Sequence, residues 1–125
     1  MAEDSPWIAV VDDDPAVLKA LSRLLRSHAY QARTYGSGRE FLAALPEGRP
    51  ECLIVDLQMP DMNGLELRQH LVRKGVPIPT IVITAHGDAG TRERCEAAGA
   101  AACLLKPLQD TALFAAIDRV IGSPR

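Results

Sequence analysis

The segment Cys52-Leu53-Ile54-Val55-Asp56-Leu57-Gln58-Met59-Pro60-Asp61-Met62-Asn63-Gly64 decides how the chain is read. Its first four residues are apolar without interruption, which fits a strand covered on both faces, as in a parallel sheet. The run stops at a carboxylate, Asp56, and a turn-rich stretch containing Met59-Pro60 follows. Asn63-Gly64-Leu65-Glu66 then has capping-box spacing, and Leu67, Leu71 and Val72 continue it as the apolar positions of a helix.

The same grammar recurs along the chain. Trp7-Ile8-Ala9-Val10-Val11, Thr80-Ile81-Val82-Ile83 and Ala102-Cys103-Leu104-Leu105 are further apolar runs, and residues 30–35 alternate in part, as an edge strand does. Asp14 before Pro15 reads as an N-cap with proline at the first helical position, followed by a stripe of Val17, Leu18, Leu21, Leu24 and Leu25. Ser37-Gly38-Arg39-Glu40 repeats the capping-box spacing before Phe41, Leu42 and Leu45, and Asp110 opens a helix carrying Leu113, Phe114, Ile117, Val120 and Ile121. Strands alternating with helices specify an α/β domain with a parallel sheet, and right-handed crossovers place helices on both faces. The predicted helix over 88–98 differs from the rest. Its apolar candidates are Ala89, Cys95, Ala97 and Ala98, too little area at about 25 cal/mol per Å² to anchor it firmly.

Composition narrows the class of function. A chain of 125 residues is one domain by size, and 47% apolar with 24% charged residues is ordinary for a globular protein. The net charge of −2 is spread along the chain with no basic run, which argues against direct nucleic-acid binding by this segment. No apolar stretch reaches the ~18 residues of a membrane helix. The acidic start, Met1-Ala2-Glu3-Asp4-Ser5-Pro6, lacks the layout of a secretory signal. Cys52, Cys95 and Cys103 are odd in number, far apart and without a CxxC, which speaks against a disulfide framework or a zinc site and for a cytoplasmic location.

The polar residues at the strand ends carry the chemistry. Asp12-Asp13-Asp14 follow the first run, Asp56 the run that starts at Cys52, Thr84 the run that starts at Thr80, and Lys106 the last. These are carboxyl ends of parallel strands, where open α/β sheets bind ligands. Crowded carboxylates repel each other unless a cation compensates, and an all-oxygen set suits magnesium, which also binds phosphoryl oxygens. Asp56 can then serve as a nucleophile that forms an aspartyl phosphate, with Lys106 neutralising charge and Thr84 donating a hydrogen bond. Taken singly, Asp14 is a helix cap, Asp12 and Asp13 are turn residues, Thr84 ends a strand and Lys106-Pro107 is a turn. Their agreement at several strand ends outweighs those readings. His28 and His70 are read as solvated, and His86 lies near enough to reach a phosphoryl group.

With these residues in place, the sequence resembles the receiver domains of two-component response regulators, and around Thr84 and His86 their FixJ-like branch. The matching segments are Val10-Val11-Asp12-Asp13-Asp14, Val55 to Gly64, Ile83-Thr84-Ala85-His86 and Lys106-Pro107, and the likeness covers essentially residues 1–125. The resemblance implies a flavodoxin-like sheet of five parallel strands in the order 2-1-3-4-5. It implies that Asp56 takes a phosphoryl group from a sensor histidine kinase, with Mg2+ held by the Asp13 and Asp56 side chains and the Gln58 main-chain carbonyl, and by Asp12 through a metal-bound water. Thr84 and Lys106 would contact the phosphoryl group, Gln58 and His86 would tune its lifetime, and the Lys106-Pro107 bond would be cis. Such a domain assists only its own phosphorylation and dephosphorylation, so it is not an enzyme in the usual sense. It switches a protein-interaction surface made by the fourth helix, fifth strand and fifth helix, through homodimerisation or contact with an output domain. FixJ-like regulators continue into a DNA-binding domain that controls transcription, so this chain is expected to be one domain of a longer protein, with Gly122-Ser123-Pro124-Arg125 a natural end or the start of a linker.

One position departs from the family. An aromatic residue commonly stands three before the lysine, where Cys103 stands here. Coupling is therefore expected to run through the loop after Thr84 and the weakly anchored helix. Two rival readings remain. A magnesium-dependent phosphatase of the haloacid-dehalogenase type would use the D-x-D of Asp12 and Asp14 with Asp12 as nucleophile, but no cap domain and no acidic pair on a later strand accompany it. A receiver fold serving only as a scaffold is suggested by Cys103 alone.

Overall fold

The computed structural model describes residues 7–121, so the readings made on the N-terminal six residues and on Gly122 to Arg125 lie outside the described residues. The elements are β1 (Trp7–Val11), α1 (Pro15–Ser27), β2 (Gln31–Tyr35), α2 (Gly38–Ala44) with a short 3-10 turn (Leu45–Glu47), β3 (Cys52–Asp56), α3 (Gly64–Arg73), β4 (Thr80–Thr84), α4 (Ala89–Ala97), β5 (Ala102–Leu105) and α5 (Asp110–Ile121). All strand pairs are parallel and the sheet order is β2-β1-β3-β4-β5, as expected.

Successive residues of a strand face opposite sides of the sheet, and the core splits accordingly. Ile8, Val10, Ile54, Ile81 and Ile83 pack under α1 and α5 against Leu21, Leu25, Leu113 and Ile117. Ala9, Val11, Leu53, Val55 and Val82 pack on the other face against Phe41, Leu67, Leu71 and Cys95 of α2, α3 and α4. The central strands β3 and β4 are buried throughout, which is why they read as unbroken apolar runs. β2 buries only Ala32 and β5 is half-buried, in keeping with their edge positions.

Local caps explain where helices begin. Asp14 accepts a hydrogen bond from the Ala16 amide at 2.9 Å with Pro15 at the first helical position. Asn63 and Glu66 form the full reciprocal box at 2.8 and 2.9 Å. The box expected at Ser37 is only half formed. Ser37 accepts from the Glu40 amide, but the Glu40 carboxylate reaches past it to the Gly36 N–H at 2.9 Å. Val72 is half exposed rather than part of the α3 stripe, because one residue beyond the buried Leu71 the helix has turned by about 100°. His28 is exposed, as read from the sequence, and its ring also stacks on Phe114 with centroids 3.7 Å apart.

Only Thr91 and Cys95 of α4 are buried, so this helix is held by very little apolar area. Amide hydrogen exchange in residues 89–97 is expected to run at least about tenfold faster than in α1, since weakly packed segments open most readily. Mass-spectrometric exchange on the intact chain checks this, and equal protection of the two helices would refute it.

Candidate functional site

The sheet order places the site. β1 lies between β2 and β3, so the crossovers from β1 and β3 leave in opposite directions and open a crevice at the strand carboxyl ends. Hydrogen bonds beyond the strands fix the residues around it: the Asp12 N–H donates to the Tyr35 carbonyl at 3.1 Å, Leu57 N–H to Ile83 at 2.8 Å, and Lys106 N–H to Thr84 at 2.8 Å. Asp56 is the last residue of β3 and Thr84 the last of β4.

The carboxylates of Asp12, Asp13 and Asp56 converge, with one oxygen from each lying within 4.8 Å of the others. Asp12 and Asp56 are buried and Asp13 is exposed. Lys106 reaches across from the end of β5, with Nζ 3.4 Å from Asp56 Oδ1 and 4.0 Å from Asp12 Oδ2. Asp12 Oδ1 accepts the Asp14 N–H at 2.9 Å. Asp56 Oδ1 is buried without a hydrogen-bond partner among the described residues. One ammonium thus faces three carboxylates, too few positive charges to balance them, and this all-oxygen donor set fits a small hard cation. The Thr84 hydroxyl donates to Gln58 Oε1 at 3.3 Å and accepts from the His86 N–H at 3.0 Å. The Lys106-Pro107 bond is cis. Asp14 caps α1.

Gly64 is part of the site's support, for a reason its place in the capping box does not reveal. A Cβ there would sit 2.9 Å from the Asp56 carbonyl oxygen and 3.1 Å from Val55 Cγ1, so the start of α3 packs directly on the end of β3.

Burial pushes both buried carboxyls above their ordinary value near 3.8. For Asp12, burial dominates over the lowering by the Asp14 N–H, with Asp56 and Asp13 raising it and Lys106 lowering it. For Asp56, burial again dominates over the lowering by Lys106 and the Gln58 N–H. An acid whose folded pKa is raised lets the unfolded chain ionise first. Its stabilising contribution is therefore full below about 3.8 and is lost as pH rises through the folded value. Without divalent cations, the melting temperature is expected to decline from pH 4 toward neutrality. Asp12→Asn, which keeps an acceptor for the Asp14 amide, should raise it at pH 7 by roughly 3–6 °C, the shift that about 1 kcal/mol gives in a domain of this size. Thermal denaturation followed by circular dichroism reads both effects, and a variant that melts lower than the parent would contradict the assignment.

Comparison with known proteins agrees with this arrangement. Residues 8–118 match the family model of the response regulator receiver domain. The transcriptional regulatory protein FixJ of Rhizobium meliloti is 38% identical over 112 residues, which span 90% of this chain and 55% of that protein. The response regulator protein TmoT of Ectopseudomonas mendocina is 38% identical across 94% of this chain and 53% of its own length. The chain thus spans about half the length of these curated relatives. Among solved structures, FixJ-N superposes with a TM-score of 0.87 at 35% identity, covering 98% of each chain. A receiver protein from Burkholderia phymatum gives 0.84 at 47% identity, covering 96% of this chain and 98% of its own. Fold, acidic crevice and family model agree, and this chain belongs to the receiver domains of two-component response regulators.

Proposed function

We propose that residues 1–125 form a phosphoacceptor module in which Asp56 takes a phosphoryl group from a phosphohistidine of a sensor histidine kinase, in the cytoplasm. The observation that carries the reading is the buried Asp56 oxygen at the end of β3, without a hydrogen bond, faced by Lys106 at 3.4 Å and flanked by Asp12 and Asp13. The Asp56 carboxylate attacks phosphorus, and the P–N bond breaks with its electron pair going to the imidazole. Mg2+ would be held by the Asp13 and Asp56 side chains and the Gln58 carbonyl, with Asp12 acting through water, and would supply neutralisation of the phosphoryl oxygens. Lys106 contributes the fixed positive charge from the protein itself.

Thr84 connects this event to the surface. Its hydroxyl has one proton, now given to Gln58 Oε1. Donation to a phosphoryl oxygen requires that proton to turn away from Gln58. Where the Thr84 oxygen itself moves toward the phosphoryl group to make that donation, the His86 N–H that it accepts is drawn with it, and so are residues 85–88, of which Asp88 is the cap of α4. A phosphoryl group adds about −1.5 to −2 charges, and a bias of a few kcal/mol is enough to repopulate a weakly anchored element. The readout is the face of α4, β5 and α5, presented to a second copy or to a C-terminal DNA-binding output domain like those expected of transcriptional regulators related to FixJ. Gln58 and His86, at the mouth of the site, set the lifetime of the phosphorylated state.

Metal dependence tests the reading. Labelling by acetyl phosphate should be abundant with millimolar Mg2+ and fall by at least about tenfold when EDTA is added, because phosphoryl transfer relies on charge neutralisation. Phosphate-affinity electrophoresis checks this, and undiminished labelling in EDTA would overturn it.

A further inference from the structure

The cysteines read from sequence as unrelated are not all apart. Cys95 of α4 donates its S–H to Cys103 Sγ of β5 across 3.3 Å, and both thiols are free. We propose that Cys95 and Cys103 are a modification site: a peroxide oxidises them to a reversible intramolecular disulfide that fastens α4 to β5.

The geometry is set by the turn between them. Gly99 adopts a φ of +81°, its N–H donates to the Glu96 carbonyl at 3.0 Å, and the Ala100 N–H donates to the Cys95 carbonyl at 3.0 Å. This is a Schellman closure, which folds the chain back sharply after the helix. β5 therefore starts alongside the last turn of α4, with Cys103 on the same sheet face as Cys95. An approach of roughly 1.2 Å brings the sulfurs from contact to a bond of about 2.05 Å.

Access and roles differ between the two sulfurs. Cys95 is buried, whereas Cys103 is only partly buried, and both line a surface cavity of about 360 Å³ with Arg92 and Glu96. Hydrogen peroxide is little larger than water and reaches Cys103 through it. Burial and the hydrogen bond to Cys103 push the Cys95 thiol up to about 12, so it stays protonated and acts second. In the first step the Cys103 sulfur takes an oxygen from hydrogen peroxide as the O–O bond breaks, giving a sulfenic acid and one water. In the second the Cys95 sulfur attacks the sulfenic sulfur, and its proton leaves with the hydroxyl as another water. Two thiols thus supply the two electrons that reduce one peroxide. Thiol reductants reverse the bond, as is usual for disulfides that work in a reducing compartment.

The bond would hold a helix otherwise anchored by two buried side chains, Thr91 and Cys95. It requires no phosphorylation, so its test is independent of the reading of Asp56. The 125-residue chain is treated with hydrogen peroxide, without a phosphodonor, then denatured, alkylated and digested with trypsin. Both cysteines fall in the peptide 95–119, since Lys106 precedes proline, while Cys52 falls in 40–68. The expected result is a 95–119 peptide that has lost two hydrogens and both alkyl groups, restored by dithiothreitol and absent in Cys103→Ser but present in Cys52→Ser. Hydrogen exchange in 89–97 should slow on oxidation. The proposal is overturned if Cys95 stays alkylatable while Cys103 is oxidised, if the linkage joins two chains, or if exchange in α4 is unchanged by the bond.

Discussion

Asp56→Asn is expected to leave a folded domain that no longer accepts phosphoryl groups, with labelling by acetyl phosphate lower by a factor on the order of 100 or more. The amide is nearly the same size as the carboxylate, so the ends of β3 and α3 need not move. Its oxygen lacks the full negative charge that makes the carboxylate a nucleophile. It also removes one of the carboxylates that make the cluster fit a cation. The comparison that matters is with Asp12→Asn, which should lower the rate of labelling but leave the acceptor in place. Phosphate-affinity electrophoresis of both variants over time measures this. If Asp12→Asn alone abolished labelling and Asp56→Asn did not, Asp12 would be the nucleophile and the phosphatase-like chemistry of the D-x-D would be the better account. If neither variant nor the parent were labelled, the fold would serve as a scaffold.

A second large effect is expected at Gly64. Valine there would drive its Cβ to within 2.9 Å of the Asp56 carbonyl oxygen, a contact with main chain that no side-chain rotation relieves. Overpacking of this kind costs about 1–3 kcal/mol, which corresponds to a melting temperature lower by roughly 5–15 °C. Because the strained neighbour is Asp56 itself, phosphorylation should slow beyond what the lost stability explains. A displacement near 1 Å at a reacting group can reduce rate by on the order of 100-fold. Labelling rates at a temperature where both proteins are folded separate the two effects. Gly64→Val with unchanged melting and labelling would contradict the packing described for the start of α3.

Much of this molecule was legible before its structure. The buried strands announced themselves because parallel strands covered on both faces are rich in Val, Ile and Leu, as the middle three residues of β3 and of β4 are. Asp14 and Asn63 were legible as caps because capping is a local exchange of hydrogen bonds within three residues. The convergence of Asp12, Asp13, Asp56 and Lys106 followed from topology, since parallel strands send all their carboxyl ends to one rim. What escaped was non-local or depended on exact rotation. Glu40 chose Gly36 over Ser37 as its donor, a competition between adjacent amides that spacing does not resolve. Val72 fell outside the α3 stripe by a single step of rotation. His28 found Phe114 some eighty-six positions away, across α1 and α5. The contact of Cys95 with Cys103 depends on the left-handed turn at Gly99, which only the folded backbone displays.

The most direct test of the central claim locates the phosphate. The chain is labelled with acetyl phosphate and Mg2+, reduced with borohydride so that an aspartyl phosphate becomes homoserine, digested with trypsin and sequenced by mass spectrometry. Asp12, Asp13 and Asp14 lie in the peptide 1–19, whereas Asp56 and Asp61 lie in 40–68, so the two candidate nucleophiles separate at once. Homoserine is expected at position 56 alone; homoserine at position 12, or in neither peptide after stoichiometric labelling, would overturn the assignment of Asp56.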